Sequence, residues 1–132
     1  MIDAWLPQLA RDAAFNRQLS LQSPSVWCAE PDLAASAGGH SNERLRILGA
    51  GLGSDGSWQY RGVSPLHALQ RHGHADCVII PKYADRIRIP TVTELERIQA
   101  QALLLYNTIH DDHLAALERY QRHSKVLRVF GP

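Results

Sequence analysis

Apolar residues recur at helical spacing at the start of the chain. Ile2, Trp5, Leu6, Leu9 and Ala13 form one side, and Arg11, Asp12 and Arg17 fall on the other. This pattern predicts an amphipathic helix over residues 2–19. Pro7 lies inside it, and proline is tolerated only in a first turn, so the regular helix is expected to begin near Leu6. Residues 20–43 lose the periodicity, with breakers at Ser23-Pro24, Glu30-Pro31 and Ala37-Gly38-Gly39. A short strand at Val26-Trp27-Cys28 and a helical turn after Pro31 are expected there.

The period then changes to two. Arg44-Leu45-Arg46-Ile47 and Ser57-Trp58-Gln59-Tyr60-Arg61 both alternate polar and apolar residues, and Gly53-Ser54-Asp55-Gly56 lies between them. Asp-Gly is a strong hairpin turn pair, so residues 44–62 are expected to form a β-hairpin. Ser64-Pro65 supplies an N-cap and a first-turn proline for a short helix over 64–72. Strands are expected at Asp76–Ile80 and Asp85–Ile89, each closed by a proline that cannot donate to a sheet ladder.

From Thr93 onward a helical stripe returns. Thr93 and Glu96 have capping-box spacing. Leu95, Ile98, Ala102, Leu105 and Ile109 follow in steps of three and four, and Leu114, Leu117 and Tyr120 continue slightly out of phase. The reading is one long helix over 92–123 bent near Asn107–Asp111, or two helices meeting there. Val126–Phe130 adds a last strand. Together these elements predict an α+β fold: an antiparallel sheet of three to five strands packed by an N-terminal helix and a long or broken C-terminal helix pair, in one domain spanning 1–132.

Composition narrows the function classes. The chain has 132 residues, of which 45% are hydrophobic and 20% charged, which is ordinary for a globular domain. A formal charge of +1 gives no global field directed at nucleic acid or membrane. No apolar run approaches the length of a membrane span, and the first residues lack the basic-then-apolar pattern of a secretory signal. Cys28 and Cys77 form neither a disulfide framework nor a CxxC pair, which fits reduced thiols and a cytoplasmic setting.

Three short motifs carry candidate chemistry. His72-Gly73-His74-Ala75-Asp76-Cys77 resembles the HxHxDH metal-binding motif of the metallo-β-lactamase fold, with cysteine in the last position. That resemblance implies zinc held by His72, His74 and Asp76 and a metal-assisted hydrolase. His110 and His113, three apart on a helix, offer further ligands. Gly62-Val63-Ser64-Pro65-Leu66-His67 with Gly73-His74 resembles an ankyrin repeat, although Pro81 would break the second helix of such a repeat. Ile47-Leu48-Gly49-Ala50-Gly51-Leu52-Gly53 is glycine-rich after a strand, as dinucleotide-binding loops are. Those loops lead directly into a helix, whereas Ser57–Tyr60 reads as strand, so the glycines are expected to mark a strand end or bulge. No Ser/His/Asp arrangement or catalytic carboxylate pair is legible from spacing.

Charge is uneven along the chain. Residues 1–43 have a net charge of −3 and residues 44–90 a net of +4, while the remainder is balanced. Strand alternation places Arg44, Arg46, Arg61, Arg86 and Arg88 on one face of the expected sheet. Such a face suits carboxylates or phosphates, which guanidinium groups bind bidentately, or it is simply a solvated surface. The sequence thus points first to a small soluble, non-catalytic binding or regulatory module acting through contact with a protein partner and needing no cofactor. The zinc hydrolase is the second reading. An arginine-faced binder of nucleic acid or another polyanion is the third.

Overall fold

A computed structural model shows a parallel sheet with helices on both faces. The structure describes residues 2–14, 44–51, 56–80, 82–83, 86–87, 89–106 and 111–131. The expected strand at 26–28 and the turn after Pro31 lie outside these residues. So do Cys28, Arg88, Ile109 and His110.

Helix α1 spans Ile2–Ala10 and contains Pro7. Strand β1, Leu45–Gly51, runs toward helix α2. Helix α2 passes through Gly56–Trp58, a π-helical turn Gln59–Val63, and Ser64–Arg71 without leaving helical backbone angles at Trp58, Val63 or Ser64. Strand β2, Ala75–Ile79, follows. A two-residue pair, β3 Lys82–Tyr83 and β4 Arg86–Ile87, is the antiparallel hairpin of the fold. Then come α3 Val92–Ile98, β5 Ala102–Tyr106, α4 Asp111–His123 and β6 Leu127–Gly131.

The four long strands take the order β2-β1-β5-β6, and every pairing among them is parallel. This overturns the antiparallel sheet. The expected hairpin fails because residues 57–61 are helical, so β1 leaves the sheet through α2 and returns as parallel β2. The expected long helix fails at its centre. Gln99 takes a left-handed backbone (φ 56, ψ 42) and closes α3. Ala102-Leu103-Leu104-Leu105-Tyr106 then extends as a strand buried on both faces, the setting in which parallel strands read as unbroken apolar runs. The true α3 cap is Thr91, two residues earlier than expected. Its hydroxyl accepts from the Glu94 amide, and the Glu94 carboxylate accepts from the Thr91 amide at 2.7 Å.

Two packed layers hold the sheet. On one face Leu48, Ala50, Val78, Leu103 and Leu105 meet Leu95 and Ile98 of α3 and Tyr120 of α4. On the other, Cys77, Ala75 and Tyr106 meet Trp58 and Leu66 of α2. The crossover from β1 to β2 and that from β5 to β6 move in opposite directions across the sheet and thus use opposite faces, as right-handed connections require. Helix α1 lies outside the first layer, where the Arg97 Nε donates to the Ala10 carbonyl at 2.8 Å and His123 meets Asp3 at 2.7 Å. Tyr120 donates its hydroxyl to the Pro90 carbonyl. Burial, then the neighbouring Glu94, push its pKa up, while Arg119 opposes them. Among the described residues, no helix is long and apolar enough to cross a membrane.

Candidate functional site

Strand order reverses between β1 and β5. The chain leaves the end of β1 to one face and the end of β5 to the other, and in open parallel sheets such a reversal is the place where a ligand crevice forms. Its walls grow out of local sequence. Gly49 and Gly51 face α2 and leave room for the Trp58 indole, and Gly62 one turn along α2 completes the slot. A Cβ at any of the three would press on Trp58 or Leu66. Trp58 in turn stacks on Tyr106, the last residue of β5, with ring centroids 5.6 Å apart and planes 26° from parallel. Ser57 shares a hydrogen bond with the Tyr106 hydroxyl. At Gly56, where α2 begins, the space a side chain would enter is open. The first-turn amides of a helix lack intrahelical partners and attract anions. The carboxyl ends of β1 and β5 thus adjoin a helix amino end, with the Ser57–Tyr106 hydroxyl pair and the buried Trp58–Tyr106 stack packed beneath it.

The sequence reading took Asp55-Gly56 as a hairpin turn and so missed Ser57, Trp58 and Tyr106. The usable signal was the glycine-rich run directly after an apolar strand. The structure supplies the following helix whose expected absence argued against a ligand loop. The described glycines nevertheless serve helix–strand packing first.

The predicted arginine face is only partly assembled. Arg44 and Arg46 stand on one side of β1, and both approach Asp76 of β2, at 3.9 and 4.0 Å. They line an open cleft of about 430 Å³ at the amino end of the sheet, together with Gln101 and Lys125. Arg61 is on α2, in the other layer, because its segment is helical. Arg86 is in β4, outside the main sheet, and Arg88 is outside the described residues.

The histidine motif opens into separate places. His72 ends α2, His74 precedes β2, and their rings are 6.3 Å apart. Asp76 instead faces the two arginines. Among the described residues, no group of three or more His, Cys, Asp or Glu side chains is placed to hold a metal ion. His113 is buried on α4. Cys77 is a free, buried thiol whose pKa is raised by burial and then by Asp76, which keeps it protonated and unreactive. The ankyrin resemblance likewise dissolves: Ser64-Pro65-Leu66-His67 continues a helix already under way, and Cys77–Ile79 is strand. Comparisons with protein families, curated proteins and solved structures find no match to this chain.

Proposed function

We propose that this chain is a ligand-binding α/β domain that takes a nucleotide-like, phosphate-bearing small molecule between the carboxyl ends of β1 and β5. The reversal of strand order at that point, with β1 passing through Gly49-Ala50-Gly51 toward the amino end of α2, carries the reading. Open parallel sheets bind ligands where strand order reverses, and a phosphate at a helix amino end meets unpaired amides. The open space at Gly56 lets a ligand approach the backbone. Half-buried Ser57 offers a hydroxyl for orientation, and the buried Trp58–Tyr106 stack fixes the end of β5 against the start of α2. Titration of the labelled chain with ADP and with NAD, followed by amide NMR, tests this. The expected result is saturable movement of the Gly51, Gly56, Ser57 and Tyr106 signals, with a higher melting temperature, since ligand at a hundred times Kd adds about 2.7 kcal/mol. Saturation with neither nucleotide, or movement elsewhere only, removes the reading.

A second reading, contact with a protein, is favoured by one observation. Among the described residues β6 pairs with β5 alone, and its Leu127, Val129 and Phe130 are 65%, 43% and 60% exposed. An apolar strand edge is a template for another strand. A second copy pairing antiparallel across a two-fold axis would extend the sheet through both chains. On this reading sedimentation velocity shows a dimer that Val129→Lys converts to a monomer. A wild-type monomer at every concentration eliminates it.

A further inference from the structure

We propose that the cleft at the amino end of the sheet is a second binding site, for a small organic anion whose carboxylate or phosphate is held by Arg44, Arg46 and Lys125. It lies at the opposite end of the strands from the nucleotide crevice and does not depend on it. The anchor is Arg46, only 5% exposed. Its Nη1 donates to the Ile98 carbonyl at 2.7 Å. Its Nη2 is 4.0 Å from Asp76, beyond hydrogen-bond reach, and its buried Nε has no hydrogen-bond partner among the described residues. A guanidinium has five N–H donors, and a buried cation this sparsely satisfied is costly. Buried polar groups left in that state call for a missing partner.

The surroundings fit an oxyanion. Arg44 stands at the mouth of the cleft and also meets Asp76 only at 3.9 Å. No carboxylate among the described residues is within ion-pair distance of Lys125, on the opposite wall. Gln101 accepts from the Arg46 amide through its Oε1, at 2.9 Å, which leaves its NH2 group as a further donor. Among the described residues, three cations thus face two carboxylates, those of Asp76 and Glu96. The carbonyl ends of α3 and α4 also point toward this edge, and they account for the capping contact of Arg46 with Ile98. That contact uses one donor and leaves the others to a ligand. Leu95 and Val126 give the cleft apolar wall, and its volume of about 430 Å³ exceeds what a bare inorganic ion fills, so the ligand has an organic body.

The test is amide NMR of the full chain titrated separately with succinate, glycerol 3-phosphate and inorganic phosphate. At least one organic anion is expected to saturate shifts at Arg44, Gln101 and Lys125, and to bind more tightly than inorganic phosphate. Whichever organic anion saturates identifies carboxylate or phosphate as the preferred group. Arg44 and Lys125 are both exposed, so the Arg44→Gln/Lys125→Gln variant should keep its melting temperature and lose roughly tenfold or more in affinity. Saturation by none of the three, binding of inorganic phosphate alone, or unchanged affinity in the folded double variant overturns the proposal. The Gly51, Ser57 and Tyr106 signals report the other site independently, so failure here is distinguishable from failure there.

Discussion

Leu105→Ala is expected to destabilise the protein by about 2–5 kcal/mol in urea unfolding, the usual cost of removing a fully packed leucine and leaving a cavity. Leu105 is buried in the layer formed with α3 and α4, beside Leu103 and close to Leu95, Ile98 and Tyr120. The neighbouring position provides the control. Leu104 points to the α2 face and is only partly buried, so Leu104→Ala should cost distinctly less. Large, small, large along Leu103, Leu104 and Leu105 is the signature of a strand. Equal losses at all three would contradict the strand.

Gly62→Ala is expected to cost about 1–3 kcal/mol through overpacking, because the new methyl would occupy space held by the Trp58 ring. The ring is confined by Gly51 on β1 and by its stack on Tyr106, so it has little room to yield. Trp58→Leu in the same chain should recover part of the loss, giving a coupling of about 0.5–3 kcal/mol in a double-mutant cycle by urea unfolding. Additive losses would show that the slot is looser than its geometry implies. If the proposed nucleotide reading holds, the same alanine should also blunt binding, since Trp58 and Tyr106 fix the end of β5 against the start of α2.

How much of this was legible varies residue by residue. Of the apolar stripe Leu95, Ile98, Ala102, Leu105 and Ile109, the first four are buried in the core, and Ile109 lies outside the described residues. Their geometry was misread. Steps of three and four across 95–105 happen to join one face of α3 to both faces of β5, and only the left-handed turn at Gln99 separates them. A glutamine in that conformation has no sequence signature comparable to glycine. The run at 102–105 was the countersignal, because short unbroken apolar stretches suit buried parallel strands as well as helices. Alternation across Ser57–Arg61 was equally misleading. The π-helical turn lets Trp58 reach inward while Tyr60 and Arg61 remain exposed. Arg44 and Arg46 were legible as a pair because they are two positions apart at the start of one strand, Arg44 just before it and Arg46 within it. Lys125 and Gln101 join them only through the parallel topology, which no local pattern displays.

The parallel arrangement also governs how the chain must assemble. Arg46 and Gln101, bonded across the central strand pair, are 55 positions apart. Loop closure adds only about 0.6 kcal/mol for each doubling of length, so distance weighs little on final stability. It weighs more on the order of events, because non-local pairings must be reached before they repay the entropy of closing the chain. The β1–α2–β2 unit, closed by its own crossover helix, is the smallest piece with a packed layer of its own. β5 then docks on the far edge of β1, and β6 pairs on the outer edge of β5. The strand that holds both candidate sites together is therefore half-paired from the completion of β2 until β5 is made, with one apolar edge awaiting residues that come later.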